Sequence, residues 1–191
     1  QVPTGGGAVG WGESICLLDA VPAVLQKVVL PLLPGKRVDQ AEALGQAAPL
    51  VRQAAEAGAK LILTPEASNI LQRDRTALMA KVVPLETDPA VQGLRALADE
   101  LKVWLLIGSA LVLREDGQLA NRSILVDDTG EVTATYDKIH MFDVDLPTGE
   151  RHRESSLYAP GDRAAVAWTP WGRIGLTVCY DVRFPYLHRA L

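Results

Sequence analysis

Apolar residues return along this chain in two rhythms, one helical and one extended. From Val38 onward, Leu44, Ala47, Ala48, Val51, Ala54 and Ala55 recur at spacings of three and four, the repeat that gathers side chains on one helix face. Gly58 follows at a position suited to a helix C-cap. Pro49 is expected to kink that helix, because it lacks an N–H and crowds the turn before it. A second helix is expected to open at Asp88-Pro89, an N-cap followed by proline at the first helical position. Its apolar face is Val91, Leu94, Leu97, Ala98 and Leu101.

The other segments read as strands. Residues 60–64 form a short apolar one, running into Pro65-Glu66. Residues 103–109 and 110–113 read as two strands, 123–126 as another, and 132–136 as its pairing partner. Glu115-Asp116-Gly117 and Asp128-Thr129-Gly130 are the turns between them. Residues 143–160, rich in charge and holding Pro147 and Pro160, read as loop. A last hairpin joins 164–168 to 173–178 through Pro170-Trp171-Gly172. Cys179 closes it and Phe184-Pro185 opens a helix. Strand, helix, strand, helix and then paired strands predict an α/β layered fold.

Composition narrows the function classes. The chain has 191 residues, 48% hydrophobic and 22% charged, with a net charge of -4: enough for one soluble domain with a sizeable core. No Lys/Arg cluster points to nucleic acid. The apolar stretch 15–34 is interrupted by Asp19 and Lys27 and broken by Pro22, Pro31 and Pro34. A spanning helix needs roughly 20 mainly apolar residues, so no membrane or targeting role is expected. Gly5, Gly6, Gly7, Gly10 and Gly12 make residues 1–14 a flexible opening, with one domain over 15–191. A first residue of Gln rather than Met is what a fragment or processed product shows. Cys16 and Cys179 form neither a metal-ligand spacing nor a disulfide framework. Reduced thiols in the cytoplasm are expected.

Three segments carry candidate chemistry, each just past an apolar strand. Glu66 follows residues 61–64, where desolvation would raise a carboxyl pKa and make it a useful base. Lys138, in Tyr136-Asp137-Lys138-Ile139-His140, can present a cation to a developing oxyanion or lower a neighbouring thiol's pKa. Cys179, in Val178-Cys179-Tyr180-Asp181-Val182-Arg183-Phe184-Pro185, sits where a strand turns sharply into a helix, the logic of a nucleophile elbow. Alone, each is more often a surface Glu, a surface Lys or a buried structural Cys. His140 is expected to hold its loop by hydrogen bonds rather than to form a Cys–His dyad. Asp181 and Arg183 can pair with each other or with neighbours to fix the turn.

The ordered combination of the three motifs resembles the nitrilase superfamily of carbon–nitrogen hydrolases over residues 38–191. The run from Lys138 to Asp145, with Glu154-Ser155 and Tyr158-Ala159-Pro160-Gly161, resembles its Nit branch, which includes omega-amidase and deaminated glutathione amidase. The resemblance implies a four-layer αββα sandwich. It implies Cys179 as nucleophile, Glu66 as general base, and Lys138 with the Tyr180 backbone N–H on the tetrahedral oxyanion. Glu154 would orient the lysine or the substrate amide. Arg183 is a candidate carboxylate anchor, set against a structural ion pair. The implied reaction is hydrolysis of the terminal C–N bond of a small carboxylate-bearing amide, with ammonia released through a thioester. No metal or cofactor is expected, and the full-length protein would be a homodimer or higher homo-oligomer. The family's first strand would be supplied by Ala23-Val24-Leu25-Gln26 or by residues 28–33, and further strands are expected beyond Leu191, leaving a sheet edge open. Competing readings are a nitrilase or an N-acyltransferase on the same residues, and a truncated remnant acting as a binding module. A papain-like protease would need a Cys–His pair with other local signatures.

Overall fold

The computed structural model describes residues 39–191, Arg73 excepted. The glycine-rich opening, the apolar stretch 15–34 and both candidates for a first strand lie outside the described residues. Helix α1, Gln40–Glu56, begins where the Asp39 side chain accepts the Glu42 N–H, and it runs on past Pro49. Packing of its apolar face against α3 and β1 holds it through the proline. Helix α2, Arg75–Met79, is a short addition within a stretch that carries no clear periodicity. Helix α3, Pro89–Leu101, starts as its sequence predicts. The buried Asp88 side chain accepts the N–H groups of Ala90 and Val91, both at 3.0 Å.

Four strands, β1 Leu61–Leu63, β2 Trp104–Leu113, β3 Leu119–Val126 and β4 Val132–Asp137, make one sheet in that order. β1 runs parallel to β2 and the rest are antiparallel. The two segments read as separate strands over 103–113 are therefore one strand with an irregularity. The register between β2 and β3 slips between Ile107 and Ala110. An extra residue there reverses the in–out alternation. Leu105 and Ile107 before the slip, and Ala110 and Val112 after it, all join the same buried cluster beneath Val91, Leu94, Leu97 and Ala98 of α3.

The opposite face of the sheet carries Leu106, Ala134 and Tyr136. They pack with Ile174 and Leu176 of a second hairpin, β7 Ala165–Thr169 and β8 Gly172–Leu176, and with Leu187 of α4, Pro185–Ala190. Helices, sheet and hairpin are thus successive layers. Between β4 and β7, the stretch expected to be loop forms a third hairpin, β5 Asp143–Asp145 and β6 Arg151–Arg153. Apolar alternation could not reveal it, because its strands are charged and largely exposed; a backbone ladder joins them, and Arg153 pairs with Asp145 across it. Among the described residues, no helix is long and apolar enough to cross a membrane.

Candidate active site

Glu66 is held by the irregularity in β2. Ser109 donates its N–H to Pro65 O at 3.3 Å, its hydroxyl oxygen accepts the Ala67 N–H at 2.9 Å, and its carbonyl accepts the Ser68 N–H at 2.8 Å. Gly108 lets the two backbones touch. A Cβ there would fall 2.1 Å from the Thr64 carbonyl oxygen. The loop carrying Glu66 is therefore fixed by backbone contacts on a central strand. The Glu66 side chain keeps 37% exposure, so the burial expected of it is only partial.

Lys138 follows β4. Its N–H is held by Asn121 O at 2.9 Å and its side chain is 2% exposed. Nζ donates to both oxygens of Glu154, at 2.9 and 2.8 Å, and lies 3.3 Å from Glu66 Oε1. Burial works against the ammonium, but the two carboxylates outweigh it and hold Lys138 above the ordinary lysine range. Glu154 also accepts the Phe142 N–H at 2.6 Å, tying the lysine to the segment after β4.

Cys179 begins a 3-10 turn, Cys179–Arg183, with φ of 48°, an uncommon conformation for a non-glycine residue. The turn is built on buried Asp181. Its Oδ2 accepts the Val178 N–H at 3.0 Å and the Tyr136 hydroxyl at 2.7 Å, and its Oδ1 meets the His140 N–H at 3.0 Å and His140 Nδ1 at 2.7 Å. Burial, with the Asp181 carboxylate beside it, pushes the Tyr136 hydroxyl well above its ordinary range. His140 stacks on Phe184, ring centres 3.6 Å apart, and so holds the loop as its sequence reading expects. Cys179 is exposed as a residue, but desolvation at its place in the site pushes the thiol up to about 11. The Glu66 carboxylate adds to the rise and Lys138 opposes it. The lysine therefore does not depress the thiol on balance.

Glu66, Lys138, Glu154 and Cys179 line one cavity of about 440 Å³, with Phe142, Tyr158 and residues 151–153 of the third hairpin. Tyr180 packs its ring edge-on against Phe142 and Phe184, and its N–H has no hydrogen-bond partner among the described residues. Arg183 is exposed, lies outside the cavity lining and makes no ion pair among the described residues. Sequence reasoning missed Asn121, whose Nδ2 donates to Glu66 Oε1 at 2.7 Å and lies 3.4 Å from Glu154 Oε1. Asn121 precedes the strand read over 123–126, whereas β3 begins at Leu119, so no local pattern marked it as a buried strand position. Sequence reasoning also missed the hairpin residues. Chemically, the cavity offers a nucleophilic sulfur, a carboxylate to move protons and a buried cation to receive negative charge.

The sequence model for carbon-nitrogen hydrolases matches residues 23–191. The chain belongs to that family. Deaminated glutathione amidase of Yersinia enterocolitica is 42% identical over 137 residues, covering 70% of this chain and 48% of its own length. Omega-amidase NIT3 of Saccharomyces cerevisiae is 32% identical over 166 residues, 84% of this chain and 57% of its own. The chain thus spans about half the length of the curated relatives it matches. Among solved structures, yeast Nit3, of the nitrilase superfamily, superposes with a TM-score of 0.67 at 28% identity, over 81% of this chain and 55% of that one. An amidase from Nesterenkonia, in a mutant with acrylamide added at its active-site cysteine, gives 0.67 at 27% identity, over 81% and 57%. The layers described above are those of the family's αββα sandwich, and the Nit branch is where the relatives cluster.

Proposed function

We propose that the complete protein hydrolyses the terminal C–N bond of a small amide bearing a carboxylate, releasing ammonia through a thioester on Cys179. The observation that carries this reading is the convergence of a thiol, a carboxylate and a buried ammonium from three distant segments on one cavity. Glu66 takes the thiol proton as sulfur attacks the amide carbon. Lys138 Nζ and the unpaired Tyr180 N–H face the resulting oxyanion. The tetrahedral intermediate collapses, the C–N bond breaks, and ammonia leaves with the proton that Glu66 returns. Water then gives a proton to Glu66 and attacks the thioester, freeing the acid and restoring the thiol. Every proton moved is accounted for by Glu66, and Glu154 keeps the lysine ammonium in place.

The carboxylate of the substrate needs a cation. Arg183 lies outside the cavity lining, whereas Arg151 and Arg153 line it. Arg153 is engaged by both oxygens of Asp145, at 2.7 and 2.9 Å. Arg151 reaches that same carboxylate only at 3.6 Å and is 78% exposed, which leaves it as the guanidinium open to a ligand. The relatives named omega-amidase and deaminated glutathione amidase support a substrate of this kind. This reading carries with it a homo-oligomer in the cytoplasm, tested by sedimentation and fractionation of the complete protein. The activity is tested by ammonia release from dicarboxylate monoamides against nitriles. Cys179→Ala should abolish release while leaving the fold intact, and near-wild-type turnover by that variant would sink the mechanism.

A further inference from the structure

Asn121 lies within β3, Leu119–Val126, and is 3% exposed. Its amide does two unequal things. Nδ2 donates at 2.7 Å to Glu66 Oε1 and sits 3.4 Å from Glu154 Oε1, while Oδ1 is buried with no hydrogen-bond partner among the described residues. Leaving a buried acceptor unpaired is unfavourable, and such groups are rare. Turning the amide over would not relieve it, because Oδ1 would then face two carboxylate oxygens. The orientation is therefore forced by Glu66 and Glu154, and the frustrated oxygen is the consequence.

The same contacts sort the two oxygens of Glu66. Oε1 receives Asn121 Nδ2 and faces Lys138 Nζ at 3.3 Å, whereas Oε2 takes part in neither contact. Asn121 also fixes the lysine from the other side, since its backbone carbonyl accepts the Lys138 N–H at 2.9 Å. One residue of a central strand thus touches both the carboxylate and the lysine segment.

We propose that Asn121 is a positioning residue: by holding Oε1 of Glu66, it leaves Oε2 as the one oxygen that exchanges protons with the thiol, the departing ammonia and the attacking water. The proposal rests on the amidase reading for its reaction, but the placement of Asn121 at the base can be tested without an amide.

Asn121→Leu keeps the approximate shape, removes the donor and removes the frustrated oxygen as well. In the complete protein it is expected to melt within about 5 °C of wild type, to lower kcat for ammonia release about 10–100-fold, and to leave KM within about threefold, as a misplaced base does. A residue that merely supports the fold would instead lose activity in step with cooperative melting. Asn121→Asp keeps the shape more closely and sets a third carboxylate beside Glu66 and Glu154. It should lower kcat similarly and slow alkylation of Cys179 by iodoacetamide at pH 8 about tenfold, followed by mass spectrometry. Retention of kcat within threefold by a folded Leu variant overturns the proposal, and so does unchanged alkylation in the Asp variant. If the wild-type protein releases ammonia from no amide, the function proposed above fails. The alkylation comparison still decides whether Asn121 acts on the base.

Discussion

Replacing Gly108 by alanine tests the claim that the irregularity in β2 is what places Glu66, the proposed base. A Cβ at this position would lie 2.1 Å from Thr64 O and 2.8 Å from Pro65 O, both backbone atoms that no side-chain rotation can move aside. Carbon–oxygen contacts of this type settle at about 3.3–3.6 Å. The segment running into Glu66 must therefore retreat by about 1 Å or more, estimated from that contact distance. That retreat stretches the bond from Gly108 N–H to the Thr64 hydroxyl, 3.2 Å, and the one from Ser109 N–H to Pro65 O, 3.3 Å. Overpacking of this kind costs about 1–3 kcal/mol. Displacing a catalytic group by about 1 Å can lower the rate about 100-fold. The complete Gly108→Ala protein should therefore lose roughly 100-fold in kcat/KM for ammonia release, with a melting temperature several degrees lower. Gly45, inside α1, is the control, because a Cβ there meets nothing within 4 Å. Gly45→Ala should stabilise by roughly 0.5–1 kcal/mol and leave turnover unchanged. A Gly108→Ala enzyme with activity and melting temperature equal to those of Gly45→Ala would refute the reasoning.

Glu66→Gln should abolish acylation yet make the thiol easier to ionise. Glu66 is one of the charges that push Cys179 up to about 11, so removing it moves the midpoint of alkylation against pH downward. A midpoint that stays or rises would show that the carboxylate does not act on the sulfur. Arg151→Ala should raise KM about tenfold for dicarboxylate monoamides and leave a neutral amide unaffected, while Arg183→Ala changes neither; equal losses on both amides would assign Arg151 a structural role instead. Asp181→Ala removes the acceptor of four contacts at the base of the nucleophile turn and should cost several kcal/mol, at roughly 1–3 kcal/mol for each buried group left unpaired. Urea melts within experimental error of wild type would remove that network from the account.

The local chemistry of the chain determined a good deal of this. The Asp88-Pro89 start of α3, the turns at Gly117 and Gly130, and the last hairpin before Cys179 all follow from capping, turn residues and alternation, which act over a few positions. The candidates Glu66, Lys138 and Cys179 were legible only together, from the order and wording of their three motifs, and not from any one segment alone. What acts over long separations was not legible. Two apparent strands are one, because the slip at Gly108 and Ser109 takes its shape from contact with the distant Glu66 loop, which no local pattern shows. The hairpin of residues 143–153 has charged, largely exposed strands, which leave no hydrophobic period to read. Arg151 rather than Arg183 lines the cavity, since which exposed guanidinium faces a cleft depends on how separate layers dock. Asn121 shows the difference most plainly. It lies before the strand read over 123–126, and only the packed sheet carries that strand back to Leu119 and decides that its donor meets Glu66 while its acceptor finds no partner among the described residues.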